Sequence, residues 1–292
     1  MKNKPTIEQY LYQEMAKASA ANYLHTINHF LKMHPKAKRY NYLDLVEWLA
    51  GVRNQDKTVQ TAIRELSAIK KYYQYLIWSG QRNDDPSQTL TVKQGGQHQI
   101  QFQDLFTSSE LELLLNRENR YRDLLDRNKV LLSLLIYQGL TSDEVIRLNV
   151  RNIDLDNGLV KVKASPKLRE RTLKLQPQQI LLFERYITQT RDRMMKRKAV
   201  KTSKLILNKL GDPITVEGIF AVTEQLKALF PERKLNPRTI RMSVIANWMN
   251  EKKMPLEAVQ EMAGHNWPSS TEKYLKVDSN QQRELINRYF PI

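Results

Sequence analysis

The chain has 292 residues, 41% of them apolar, with 47 Lys+Arg against 31 Asp+Glu and no cysteine. The missing thiols exclude disulfides, cysteine nucleophiles and cysteine-held zinc or iron–sulfur clusters, and no run approaches the ~18 apolar residues of a membrane span. The apolar share suffices for a core, and a net charge of +16 suits a polyanionic partner, nucleic acid or an anionic membrane surface.

In chain order, Met1-Lys2-Asn3-Lys4-Pro5 leads into a polar amphipathic segment and not an apolar signal core, so a soluble cytoplasmic protein is expected. Ile7, Leu11 and Met15 start a series of apolar stripes at helical spacing. Tyr23, Ile27, Phe30 and Leu31 form the second. Leu43, Leu45, Val46, Trp48 and Leu49 form the third, and Val59 to Leu76 the fourth. Four amphipathic helices on short connections predict a small antiparallel bundle over residues 1–85.

From Gln81 to Gln103 the period is lost. The stretch holds Asp84-Asp85-Pro86-Ser87, Gly95-Gly96 and seven Gln, so residues 86–103 read as a linker. Residues 104–292 predict a mixed α+β domain. Ser108–Leu115 and Leu124–Gln138 read as helices, the second ended by Gly139. Thr141-Ser142-Asp143-Glu144 matches a capping box. Strand-like runs follow at Asn152–Leu155, Leu159–Lys163 and Arg171–Leu175, with Asn157-Gly158 as a tight-turn signal, and predict a small antiparallel three-stranded sheet. Helices are expected at 178–195, 216–229, 239–252, 256–263 and 280–289. The fold class is therefore mainly α: a four-helix bundle followed by an α+β domain.

Both parts are basic. Residues before 100 carry 14 Lys+Arg against 8 Asp+Glu, and the rest 33 against 23. Two basic domains on a linker suit a clamp around a duplex, held by phosphate contacts that read no sequence. Arg191–Lys204 concentrates seven cations against one Asp. Arg191, Arg193, Lys196, Arg197 and Lys198 in this stretch, with Lys70 and Lys71, are the expected DNA-contacting residues; a solvated helix end explains the stretch equally well. A membrane surface is the weaker partner, since no basic amphipathic helix with a free apolar face is evident.

The chemistry concentrates between Asn236 and Tyr274. Arg238 and Arg241, at i and i+3, stand at the start of a helix, where free N–H groups, partial positive charge and planar donors favour an oxyanion. Ile240, Val244, Ile245, Trp248 and Met249 are its expected core face. His265 follows Gly264 at the end of the next helix, and Tyr274 lies nine positions on. Singly, each has a bland role: a solvated arginine face, a C-terminal dipole partner, a half-buried packing residue. Their order and spacing together are more specific.

In this respect the sequence resembles the tyrosine recombinases, the phage-integrase and Xer-like family. The resemblance rests on Arg238-Thr239-Ile240-Arg241, then Val259 to Ala263 with Gly264-His265, then Ser269-Ser270-Thr271-Glu272-Lys273-Tyr274. Gly139-Leu140-Thr141-Ser142-Asp143-Glu144-Val145 is similar to the family's first box, and residues 159–175 to the strand pair whose turn carries a catalytic lysine. The bundle is similar to the core-binding domain.

The resemblance implies site-specific DNA recombination through a 3′-phosphotyrosine intermediate, without ATP, metal or other cofactor. Tyr274 would be the nucleophile. Arg241 would fork onto the phosphate. His265 would bond the same phosphate or manage the tyrosyl proton. Lys167 would be the general acid for the leaving 5′-oxygen, with Lys163 as fallback; a solvated turn lysine is the bland alternative. A phenol of ordinary pKa ~10 is a poor nucleophile, so such cations are needed. The implied partners are a double-stranded core site and a homotetramer on it, with an accessory bending protein or second recombinase left open, and the implied setting is bacterial, nucleoid-associated and tied to mobile elements. The tail after Tyr274, with Leu285, Ile286 and Phe290, is expected to pack on a neighbouring protomer or fold back.

Two positions depart from the pattern. Thr141 stands where the first box has arginine, and Arg238 where the second box has His or Lys. Either Arg238, or another arginine such as Arg147 or Arg169, supplies the missing charge, or the chain is a weakened or inactive relative that only binds DNA.

Overall fold

Polar side chains start three of the first four helices. Thr6 caps α1 (Ile7–Glu14) in a reciprocal box with Gln9. The Asn41 side chain accepts from the Leu43 and Asp44 amides to open α3 (Tyr42–Asn54), and Thr58 caps α4 (Val59–Trp78). Between α1 and α3 runs α2 (Lys17–Met33). In this computed structural model residues 5–54, 58–93, 100–116, 122–196 and 201–276 are described, and the chain divides into two compact units, Met1–His98 and Gln99–Ile292.

In the first unit, α4 packs against α1, α2 and α3. The apolar stripes meet in a core containing Leu11, Ile27, Leu45, Ile69 and Tyr73, none of them exposed. The Tyr73 hydroxyl, buried with that core, donates to the Ala37 carbonyl at 2.7 Å. Part of the stretch read as linker belongs to this unit. Pro86 and Ser87 are buried, and Leu90 joins the bundle core. The Asp85 carboxylate organises that turn by accepting from the Ser87 amide and hydroxyl. Polar composition hid a turn that anchors itself through one leucine.

The second unit holds α5 (Ser108–Leu113), α6 (Arg122–Tyr137) and α7 (Ser142–Arg147). An antiparallel sheet follows, ordered β1 (Ile153–Asp154), β2 (Leu159–Val162), β3 (Arg171–Lys174). Val160 and Val162 of β2 face the core, paired with Leu173 and Arg171. The expected helix 178–195 is split into α8 (Pro177–Arg185), a wide π turn at Tyr186–Thr190 and α9 (Arg191–Met195). The widened turn brings Tyr186, Thr190 and Arg191 to the interior together; Tyr186 donates to the Leu205 carbonyl and Thr190 to Asp126.

The described residues end with α10 (Val216–Glu224), α11 (Pro237–Asn250), α12 (Leu256–Ala263) and α13 (Ser269–Glu272). Asn236 caps α11 and Pro237 occupies its first turn, so this helix starts two residues before the expected boundary. The expected helix 280–289, with Leu285, Ile286 and Phe290, lies outside the described residues. Among the described residues no helix is long and apolar enough to cross a membrane.

Candidate active site

The site is built on α11, which packs against α5, α6, α10 and α12 and is therefore buried nearly all round. Its polar residues must find partners inside. Ser243 accepts from the Phe106 amide at 2.9 Å, and Asn247 donates to the Phe106 carbonyl at 3.0 Å. Arg241 is only 8% exposed. Its Nη1 donates to the Gly139 carbonyl and its Nη2 to the Ala263 carbonyl. One guanidinium thus joins the ends of α6 and α12. The other arginine of the pair, Arg238, stays exposed on the first turn, because the walls that bury Arg241 do not reach it.

Glu144 supplies the carboxylate. The expected capping box is present, with the Thr141 hydroxyl accepting from the Glu144 amide and Glu144 Oε2 accepting from the Thr141 amide at 2.9 Å. The same carboxylate reaches inward. Its Oε1 accepts from Arg171 Nη1 at 2.6 Å, and its Oε2 lies 3.9 Å from Arg241. Burial pushes the Glu144 acid up, but the hydrogen bond and charge of Arg171, helped by Thr141 and Arg241, hold it below the ordinary value, so it is ionised at neutral pH.

Arg171 was missed in the sequence, where it reads as the first residue of an alternating strand. Its inward register on β3, opposite Val162, was the available signal. Besides Glu144 it holds the Met262 carbonyl through Nε at 2.7 Å. Gly264 makes room for it. This glycine ends α12 with φ +71, and a Cβ there would stand 2.6 Å from Arg171 Nη1. Gly264→Ala is expected to cost ~1–2 kcal/mol for the left-handed backbone and ~1–3 kcal/mol for overpacking. Urea unfolding checks this; an unchanged midpoint contradicts it.

His265 follows directly. Leu168, in the turn after β2, forms an isolated bridge with it, and Arg169 donates its amide to the Gly264 carbonyl at 2.8 Å. The ring lies between Arg241 Nη2, 3.4 Å from Nε2, and the Thr271 hydroxyl, 2.8 Å from Nδ1. A guanidinium only donates, so Nε2 is the acceptor and Nδ1 carries the proton. Burial, then Arg241, Lys273 and Arg171, pull the imidazole from 6.5 down to about 4. A depressed histidine favours the fold above its unfolded value, and that contribution is lost as pH falls from 6.5 toward about 4. In an NMR titration the His265 ring is expected to remain neutral down to about pH 5; an inflection near its ordinary value would refute the buried geometry.

Tyr274 is 6% exposed, and its ring stacks on His265 at 6.3 Å between centroids and 14° between planes. Its carbonyl accepts from Asn250 Nδ2 at 2.7 Å, and Asn250 Oδ1 accepts from the Lys276 amide at 2.8 Å. Asn250 therefore fixes the chain at and just after Tyr274 to the end of α11, a role that a surface-type residue at a helix end does not advertise. Burial raises the Tyr274 phenol, while Arg241 and Arg238 act to lower it. Lys273 lies with its Nζ 5.4 Å from the Tyr274 ring centroid, and burial, Arg238 and Arg241 lower its pKa.

The structure gathers Arg241, His265 and Tyr274 into one cluster, with Arg238 at its electrostatic margin. Lys167 is exposed in the turn whose next residue, Leu168, bridges to His265; Lys163, just after β2, is also exposed. The DNA-contact expectations fare unevenly. Arg191 must be corrected: it is buried, and it holds the Thr202 and Lys204 carbonyls from the inward side of the π turn. Arg193 pairs with Asp123 at 3.0 Å while half exposed, and Lys196 is exposed. Arg197 and Lys198 lie outside the described residues. In the first unit, Lys70 donates to the Gln88 carbonyl at 3.0 Å and Lys71 pairs with Glu14 at 3.7 Å.

A helical bundle followed by an α+β unit that gathers a guanidinium, an imidazole and a phenol is what the resemblance to the tyrosine recombinases implies. Residues 104–281 match the phage integrase family, and residues 7–80 match the phage integrase N-terminal SAM-like domain. The chain belongs to the phage integrase family and is a tyrosine-type site-specific recombinase. It is 28% identical over 282 residues to tyrosine recombinase XerD of Oceanobacillus iheyensis, covering 94% of this chain and 90% of that protein. It is 27% identical over 302 residues to XerD of Staphylococcus haemolyticus, covering 98% of each. Its fold is similar to that of XerH site-specific recombinase bound to difH substrate, with TM-score 0.74, 19% identity and coverage of 98% of this chain and 86% of that one. A lambda integrase dimer bound to a core site gives TM-score 0.65, 13% identity and 92% coverage of each chain.

Proposed function

We propose that this chain is a competent recombinase that breaks and rejoins duplex DNA through a 3′-phosphotyrosine on Tyr274, needing neither ATP nor metal. The observation that carries the reading is the stack of Tyr274 on a neutral His265 whose acceptor nitrogen meets Arg241. The phenol oxygen attacks a backbone phosphorus. The imidazole nitrogen is free to take the phenol proton once phosphate draws Arg241 away. Arg241, joined by Arg238 at the margin, stabilises charge on the non-bridging oxygens. Lys167, or Lys163, gives a proton to the departing 5′-oxygen. The bond energy stays in the phosphotyrosine, so a second 5′-hydroxyl can reverse the step on another strand.

Exchange between two duplexes needs four such sites, which favours a homotetramer on paired core sites. The exposed Lys196, with Arg193 in reserve behind its ion pair, is the proposed backbone contact from the described part of the basic stretch. Thr141 favours a second reading, a protein that binds and bridges DNA without cutting. Covalent capture separates them: a nicked duplex carrying the site should yield a denaturant-stable protein–DNA adduct, whereas specific binding with no adduct under any condition supports the second.

A further inference from the structure

We propose that Arg171 gives the buried centre of the phosphate site its net positive charge, by matching the Glu144 carboxylate so that Arg241 remains uncompensated for substrate. The inference rests on the phosphotyrosine reading and names a positioning residue for it. Thr141 brings no guanidinium to the start of α7. Arg147 and Arg169 are exposed and engaged elsewhere, 4.0 Å from Asp143 and 2.8 Å from the Asn266 carbonyl. Arg171 is the remaining buried guanidinium beside the cluster.

The buried centre holds one carboxylate and two guanidinium groups. Side-chain exposure is 2% for both Arg171 and Glu144 and 10% for Arg241. The carboxylate is not shared equally. Oε1 bonds Arg171 at 2.6 Å, while Oε2 is taken by the Thr141 amide and hydroxyl and stands 3.9 Å from Arg241. Arg241 spends its own hydrogen bonds on neutral carbonyls. Its charge is therefore available to an incoming phosphodiester. Without Arg171, the nearest counter-charge for Glu144 would be Arg241, and this buried centre would fall to neutral.

The surroundings fit an anion site more than a strut. An uncompensated buried cation is costly in isolation, and the cost is recovered when an anion arrives. Arg171 Nη2 is buried with no hydrogen-bond partner among the described residues, an unusual expense unless charge is the purpose. Gly264 leaves the space that the guanidinium fills.

The test compares the full-length wild type, Arg171→Gln and Arg171→Gln/Glu144→Gln on a nicked duplex recovered by binding-site selection, with either a phosphate or a neutral methylphosphonate at the scissile position. Arg171→Gln is expected to slow adduct formation about 100-fold on phosphate, the loss typical of one preorganised donor. Methylphosphonate, which removes one substrate charge, should recover at least about tenfold of that loss. The double variant, which removes the carboxylate that Arg171 serves, should likewise recover about tenfold; a buried ion pair replaced as a pair is often tolerated, so this arm survives if the single variant unfolds. An Arg171→Gln rate within about threefold of wild type overturns the proposal. So does equal slowness on both duplexes with no gain in the double variant, which would make Arg171 a strut. If the wild type forms no adduct on any duplex, the recombinase reading fails separately. The charge claim is then read in binding: wild type should favour phosphate over methylphosphonate and Arg171→Gln should not, and an unchanged preference overturns it.

Discussion

Tyr274→Phe is expected to eliminate the protein–DNA adduct while leaving fold and DNA affinity intact. The substitution removes one oxygen and nothing else. The ring, 6% exposed and part of the main core of its unit, keeps its stack on His265. The tether to Asn250 runs through the Tyr274 backbone and is untouched. Unfolding should therefore change little, and affinity for the selected duplex should stay within about threefold, because phosphate contacts dominate such binding. Gel analysis after denaturation reads the adduct. An adduct persisting in Tyr274→Phe would transfer the nucleophile to another residue and end the assignment.

Arg241→Lys should fail although it keeps the charge. Arg241 serves the Gly139 and Ala263 carbonyls, His265 and Glu144 from a single planar fork. An ammonium has no fixed fork and cannot hold these directions at once. Adduct formation is expected to fall about 10²–10³-fold, as on loss of one preorganised donor. Stability should also drop, by as much as ~3–5 kcal/mol if the buried ionic cluster is effectively broken. Single-turnover adduct formation and urea unfolding read the two effects. Wild-type rates in Arg241→Lys would show that charge alone suffices and that the bonding geometry is incidental.

How far the sequence carries is visible residue by residue. The capping box at Thr141–Glu144 is legible and correct, since a hydroxyl and an acid three apart satisfy helix-start amides locally. Gly264 as a helix end and His265 after it are legible for the same local reason. That Glu144 also turns inward to Arg171 is not legible, because the partner lies 27 positions away on a strand. Arg191 was misread because composition counts charges without direction; the π turn rotates it inward, while Lys196 stays outside. Arg238 and Arg241 look equivalent at i and i+3. They differ in burial: Arg241 is 8% exposed and holds carbonyls at the ends of α6 and α12, whereas Arg238 is exposed beside the buried Pro237 and Ile240 of the same turn.

Charge, apolar periodicity and helix-end chemistry determined from the sequence alone that this is a basic two-part helical protein, and the spacing from Arg238 to Tyr274 pointed to its family. These signals are short-range: each is set by a few neighbours along the chain. The tertiary structure alone decided which cations face inward, which carboxylate is matched by which arginine, and that His265 is neutral beside Tyr274. Those outcomes depend on burial and on partners distant in sequence, which set the dielectric and the hydrogen-bond directions in the site.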